Sequence, residues 1–495
     1  MPNILRGSRV KGSSRRANDF ISSIGFDGPL ARHVVSISEA HMLALLRSKE
    51  VRPEVGSATL GFLAGLPADM ALDPATEDVH HMVEQEAIRS IGMETAGYLN
   101  LGKSRNDQVA TALRMETRDR LLDLSEALCG VQRALVGLER RYGGLPMPGY
   151  THLQHAQPVT VAHHMQSYFE AVQRDVERAR QAYGRVNLSP MGAAALAGTS
   201  VLLDRGYVAS LLGFDGIAEN AMDAVSSRDF ALESISLCAI AMVDLSRMAE
   251  ELVLWSSTEF GFAELADEYS ATSSIMPQKK NPVVAETVRA KCGSVLGELA
   301  ASLAITKALP NSYNLDLQEV TPHLWRALEA TISSAEMMAE MLSSLRLEAE
   351  RLLGSVQGDA STATELANYL VRDHGVPFRQ AHAIVGEIVR ASLETGSTLE
   401  EATVREMPSV SSRVTGTSIK VDKDQVRNVL DALKTLQLTR TTGGANPLFV
   451  PRLLSKDSRS LRQNLSWISD ARASLEAASG RLRTQVEKNR AEVRR

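Results

Sequence analysis

Cysteine is nearly missing from this chain. Cys129, Cys238 and Cys292 are the only three, and they lie far apart. They form no disulfide framework and no paired zinc motif, and they fit a reducing cytoplasm. Long apolar runs are missing too. No stretch approaches the ~20 uninterrupted apolar residues of a membrane span. No apolar run of about 7–15 residues follows the basic N-terminus, so a secretory leader is not expected. The charge has no strong bias: the formal net charge is -5, which argues against a dedicated nucleic-acid binder. The basic ends (Arg6, Arg9, Lys11, Arg15 and Arg16; Arg481, Arg483, Arg490, Arg494 and Arg495) read as solvated tails. Gly-x-Gly-x-x-Gly after a strand, the P-loop and Gly-x-Ser-x-Gly are all absent, so dinucleotide, nucleotide-phosphate and α/β-hydrolase readings lack support.

Aromatics are scarce at 4% and alternating strand patterns are few. Helical spacing takes their place. Leu121, Leu124, Leu128, Val131, Leu135 and Leu138 recur every three or four residues, which is one stripe of a helix. Leu232, Ile235, Ala239 and Met242 make a second stripe, continued by Leu245, Met248, Leu252 and Trp255. Val288, Cys292, Val295 and Leu299 make a third, opened by Pro282 at a first helical position. Stripes this long predict a long-helix bundle, within one chain and shared between chains. Near residue 358 the helices shorten and Gly375-Val376-Pro377 intervenes. The expected division is an N-terminal domain over 1–108, the central bundle over 109–357, and a small helical domain with its tail over 358–495.

The unusual chemistry sits in the breaks between helices, where binding groups on a rigid scaffold are expected. Thr272-Ser273-Ser274-Ile275-Met276-Pro277-Gln278-Lys279-Lys280-Asn281-Pro282 packs hydroxyls, lysines, amides and prolines together. A serine hydroxyl serves as a base only if its alkoxide is stabilised by a nearby ammonium and by backbone N–H groups. Lys279 and Asn281 are placed to supply that and to neutralise a carboxylate gaining charge. Thr151 and His152 lie in a Gly/Pro-bounded turn, and histidine is the side chain best poised for proton transfer near neutral pH. Ser104-Arg105-Asn106-Asp107-Gln108 is both a helix start, with Ser104 or Asn106 as cap, and a good carboxylate-binding set. In Tyr313-Asn314-Leu315-Asp316-Leu317-Gln318-Glu319 the acids are either surface charge or partners for a cationic substrate group. Glu77-Asp78-Val79-His80-His81 with Glu84 invites a metal reading. Adjacent histidines do not share a helix face, and the helical i, i+4 histidine pair is absent, so no metal is expected.

Together these segments carry a resemblance. Ser273-Ser274-x-Met276-Pro277-x-Lys279-x-Asn281-Pro282 resembles the signature of the fumarase/aspartase superfamily, whose members eliminate across a succinyl group to release fumarate. Gln278-Lys279-Lys280, Ser104–Gln108, Gly149–Gln154 and Tyr313–Glu319 are similar to the argininosuccinate lyase and delta-crystallin branch. Weaker similarity includes Ser22-Ser23-Ile24 with Asp27, Glu77–His80, Asp223–Asp229 and Gly375–His382. The chain departs from the pattern at Thr272, where glycine is usual, and at Leu315, where arginine is frequent. Val320-Thr321 stand where many members have a lysine, and Leu99–Lys103 replaces a His-Thr lead-in.

The resemblance implies a mainly α, three-domain fold. Its central long-helix bundle would assemble into a core of roughly 20 helices in a homotetramer, with three chains meeting at each site. It implies β-elimination of argininosuccinate to arginine and fumarate, in the cytoplasm, with no cofactor. It makes Ser273 the base, Lys279 and Asn281 the stabilisers of the dianion, and His152, held by Glu286, the second acid/base candidate. Whether His152 protonates the leaving guanidino group stays open. Thr151, Ser104, Arg105 and Asn106 would bind the succinyl carboxylates. Ser23, Tyr313 and Gln318 would contact the substrate's other end. The competing readings are another fumarate-releasing lyase, such as adenylosuccinate lyase, and a non-catalytic protein of the crystallin type.

Overall fold

A computed structural model describes residues 14–67, 70–357 and 360–492. Of the basic ends, Arg6, Arg9, Lys11, Arg494 and Arg495 lie outside the described residues. The N-terminal part carries helices α1 (Ala31–Arg47), α2 (Pro53–Leu63) and α3 (Val79–Ile91). The long helices follow: α4 (Arg105–Tyr142), α5 (Val161–Val186), α6 (Asp229–Trp255), α7 (Val283–Thr306) and α8 (Val320–Ser344). At 38 residues, α4 is roughly 57 Å long. It packs on α5 and α8, while α6 lies against α5, α7 and α8.

The stripes read from the sequence are the packed faces. Leu121, Leu124, Leu128, Val131, Leu135 and Leu138 are fully buried. So are Ile235, Met242, Leu245, Met248 and Leu252, and the two stripes around them belong to the single helix α6. Pro282 caps α7 from just outside rather than opening it from within. α7 is apolar on more than one side yet buries only Ala285, Val288, Cys292, Val295 and Ser302. Leu296 and Leu303 on α7, and Ile240 and Val243 on α6, are exposed by 40–49%. That is an unpartnered apolar surface on the bundle.

Strands are short and occur in pairs. β1 (Pro146–Thr151) and β2 (Gln154–Thr160) form an antiparallel hairpin. β3 (Ala271–Thr272) and β4 (Lys280–Asn281) form another, two residues a side.

Helices α9 (Ala363–His374), α10 (Phe378–Thr395), α11 (Leu399–Thr415) and α12 (Lys423–Leu430) enclose a separate small core around Leu366, Leu370, Ile384, Ile388 and Met407. Gly375, at φ 66, ends α9 in a left-handed cap: its own N–H reaches back to the Val371 carbonyl (3.2 Å), and the Val376 N–H to the Leu370 carbonyl (3.1 Å). The segment after this core differs from expectation. Arg481, Arg483 and Arg490 do not sit on a solvated tail. They belong to α13 (Val450–Glu492), a 43-residue helix that returns along the central bundle. Its Leu461, Ile468, Leu482 and Val486 join the main core. The stripe was hard to read because serines and arginines dilute it. The Asn464 amide donates to Gln132 (3.1 Å) and Gln173 (2.8 Å), and Gln132 donates to Gln173 (2.9 Å). This amide cluster fixes the register of α13 on α4 and α5, because a slip would leave buried polar groups unpaired.

Candidate active site

The start of α4 is built by a capping box. Ser104 is the cap: its Oγ accepts from the Asn106 N–H (3.4 Å), and its own N–H donates to Asp107 Oδ1 (2.9 Å). Asp107 Oδ2 also accepts from the N–H groups of Gly192 (3.1 Å) and Ala194 (2.8 Å), so one buried carboxylate ties two segments together. The box holds Arg105 and Asn106 at the helix entrance. Arg105 pairs with Asp78, the cap of α3, and Asn106 donates to the Ala195 carbonyl (2.9 Å).

These groups face a cavity of about 190 Å³. Five expected binding residues line it: Ser23, Arg105, Asn106, Tyr313 and Gln318. They come from three separate regions of the chain. The turn Leu315–Glu319 is anchored by Gln318, whose amide donates to the Ile21 carbonyl (2.9 Å). Ser23 donates to Asp27 Oδ2 (2.9 Å), which also accepts from the Val79 N–H (3.1 Å). Burial outweighs these bonds and pushes the Asp27 carboxyl up to about 7. Burial pushes His80, also in the lining, down to about 3, so its ring is neutral at physiological pH. Phe26, Leu30, Val109, Leu113 and Leu317 supply the apolar wall. Asp316 and Glu319 are exposed and line no part of it, which favours the surface-charge reading for both.

The remaining expected residues lie elsewhere on the same chain. The β1–β2 turn is His152-Leu153, both at φ 56, the left-handed geometry that suits a two-residue hairpin. Neither residue is glycine, so the turn holds a sparsely populated backbone state and presents Thr151 and His152 to the surface. β3 and β4 frame the loop 273–279. Ser273 Oγ accepts from the Met276 N–H (3.2 Å), and Lys279 is exposed. Lys280 is instead committed to Asp267 (2.6 Å) and Glu264 (3.5 Å). Asn281 ends the loop in β4, and Glu286 sits exposed in the first turn of α7. Thr272 pairs with Lys280 as a strand residue and has no positive φ, so the position places no demand for glycine on the backbone. Neither the hairpin tip nor this loop lines the cavity.

Two features were missed in the sequence. Arg228 was read only as part of a weak similarity, yet it is 4% exposed and lines the cavity. Burial lowers its guanidinium to about 10. His33, Glu116 and Asp119 form a cluster with metal-like spacing, away from the cavity. Its carboxylates are already engaged by Arg32 (2.9 and 3.0 Å) and Arg120 (2.7 Å), so the cluster is a charge-neutralised packing contact.

With this geometry in place, the relatives are informative. The chain is 42% identical to an argininosuccinate lyase of Methanoculleus marisnigri over 96% of both chains. It is 42% identical to that of Methanothrix thermoacetophila, over 98% of this chain and 99% of the relative. The chain belongs to the argininosuccinate lyase family. A family profile described as Lyase matches residues 63–297, and one described as Argininosuccinate lyase C-terminal matches residues 360–437. The second match coincides with the small separate core. Among solved structures, an EDDS lyase in complex with formate aligns over the whole of both chains, with a TM-score of 0.90 at 29% identity. A fumarate lyase of the delta-crystallin type from Brucella melitensis aligns over 88% of this chain and 95% of its own, at TM-score 0.71 and 18% identity, and shares the fold. Family membership identifies the protein as a lyase and accords with the mainly α expectation. Among the described residues, no helix is long and apolar enough to cross a membrane.

Proposed function

We propose that this protein is an argininosuccinate lyase, cleaving argininosuccinate to arginine and fumarate in the last step of arginine formation. One observation carries the reading. The cavity gathers Ser23, Arg105, Asn106, Tyr313 and Gln318 from distant parts of a chain that matches argininosuccinate lyases end to end. In the reaction, Ser273 takes a proton from the carbon beside a succinyl carboxylate. The electrons of that C–H bond form the C=C bond of fumarate, and the C–N bond breaks with its pair going to the guanidino nitrogen, which is then protonated. The hard step is the first, because the aci-carboxylate carries extra negative charge. Lys279, Asn281 and loop N–H groups hold that charge. Glu286 orients His152. Thr151, Ser104, Arg105 and Asn106 hold the succinyl carboxylates, and Ser23, Tyr313 and Gln318 hold the arginine end. The balance needs no cofactor.

The working site is assembled between chains. The hairpin, the loop and the cavity do not meet within one chain, and the exposed apolar surface of α6 and α7 is suited to burial against copies of itself. A homotetramer with three chains at each site satisfies both. We read the chain as three domains divided near residues 108 and 357, with α13 reinforcing the central one. Three free, buried cysteines support a cytoplasmic setting.

A second reading is a lyase for a different N-succinyl amine. It is favoured by the full-length alignment to an EDDS lyase, and by Leu315 and Thr321 in the cavity lining where family members carry cations. Offering argininosuccinate, adenylosuccinate, aspartate and ethylenediamine disuccinate in turn, and following fumarate by ultraviolet absorbance, separates the readings. Argininosuccinate is expected to give the highest kcat/KM. A higher value for any other substrate overturns the proposal.

A further inference from the structure

The seam between α13 and the bundle carries two polar layers, seven residues apart on each helix. The first is the amide cluster of Gln132, Gln173 and Asn464, in which every member bonds to another. The second holds Glu139 on α4, Gln166 on α5 and Asp457 on α13. Glu139 is 1% exposed and Asp457 0%. None of their four carboxylate oxygens completes a hydrogen bond among the described residues, although the Gln166 amide reaches toward Asp457. Ionised carboxylates only accept, so two of them cannot bond each other, and burying both charges is costly. The cations nearby do not fill the gap. Lys456 pairs with Glu170, and Arg140 turns to the Ser458 hydroxyl (3.3 Å). Glu170, on α5, adds further negative charge beside Asp457. Burial and then the repulsion from Asp457 push the Glu139 carboxyl up to about 8. Burial and then Glu170 push Asp457 up to about 6. Between these values the folded pair keeps one proton and the unfolded chain keeps almost none.

We propose that Glu139 and Asp457 share one proton across the seam, making the first half of α13 a clasp that this proton holds closed and that loosens as pH rises. The O–H of one carboxyl donates to the carboxylate of the other, the arrangement open to two carboxyls that cannot both ionise. The docked state binds the proton more tightly than the undocked one. Docking is therefore firm at low pH, weakens as pH rises from 6 to 8, and levels off above that. Neither residue lines the cavity, and the inference holds whichever substrate the enzyme takes.

Hydrogen–deuterium exchange of the full-length protein, read by peptide and corrected for base-catalysed intrinsic exchange, is the test. One proton per docking event means that protection over residues 450–467 should fall about tenfold per pH unit between pH 6 and 8 in the wild type. Glu139→Gln places an amide donor against Asp457 at every pH, so its protection should change by less than about threefold over the same range. Asp457→Asn should flatten the profile in the same way. Both replacements remove a repulsion, and if one fails to fold the other carries the comparison. A corrected wild-type profile that is flat with pH would overturn the proposal, and that result needs no variant. Equal slopes in the wild type and the variants would overturn it too. So would magnesium or calcium chloride restoring protection at pH 8 in the wild type alone, with sodium chloride of equal ionic strength inert, because the pair would then be a cation site.

Discussion

Replacing Asp27 by Asn tests the electrostatics of the cavity without changing its shape. Asp27 is 4% exposed, and its carboxyl is pushed from 3.8 to about 7, chiefly by burial. The native state therefore binds the proton more tightly than the unfolded chain does. Stability falls as pH rises from 3.8 toward 7 and levels off above that. At about 1.36 kcal/mol per pH unit, the penalty is on the order of 1 kcal/mol at pH 4.5 and 4 kcal/mol at pH 8. An asparagine keeps an oxygen for the Ser23 hydroxyl and the Val79 N–H but never ionises. Asp27→Asn should therefore melt higher than wild type, by a gap that widens with pH. With an unfolding entropy near 2.1 cal/mol/K per residue, 4 kcal/mol corresponds to about 4 °C for a chain of this size. Differential scanning fluorimetry of the ligand-free proteins from pH 4.5 to 8.5 is the assay. Parallel melting curves with a constant gap would refute the reasoning, because they would mean that Asp27 ionises as an ordinary carboxylate.

Other perturbations follow from the same geometry. Ser273→Ala should cut fumarate release by about 10²- to 10⁴-fold or more with unchanged circular dichroism; substantial residual turnover in a clean preparation contradicts its role as base. Lys279→Met should cost about 10²-fold or more in kcat. Lys280→Met should remain within about tenfold of wild type, since Lys280 is committed to Asp267 and Glu264. Leu128→Ala, in the fully buried stripe of α4, should destabilise the fold by about 2–5 kcal/mol, read as a lowered melting temperature.

The long helices were legible because burial and the helical period coincide. Every residue of the Leu121–Leu138 stripe is in the core. The Ser104–Asp107 box was legible because capping is a local event, and the structure chose Ser104 over Asn106 as the cap. The α13 helix was not, because its apolar positions are spaced among arginines and serines and gain meaning only from the face of α4 and α5 that they cover. Arg228 was missed for a related reason. Nothing in Ser227-Arg228-Asp229 distinguishes a surface arginine from one buried without a counter-charge; only the fold brings it beside Tyr313. The motifs suggested the roles proposed for Ser273, His152 and Lys279. Their separation from the cavity on one chain is a property of topology, which local sequence does not encode.

That separation supplies the most direct test of the account. Ser273→Ala and Arg105→Ala disable different segments of the proposed site. Each variant alone should be nearly inactive on argininosuccinate. Mixed, dissociated and reassembled, they should recover about one quarter of wild-type fumarate release if subunits exchange at random, because one site in four then draws both segments from intact chains. Recovery near that level supports both the reaction and the shared site. A mixture no more active than its two components would contradict a site built between chains.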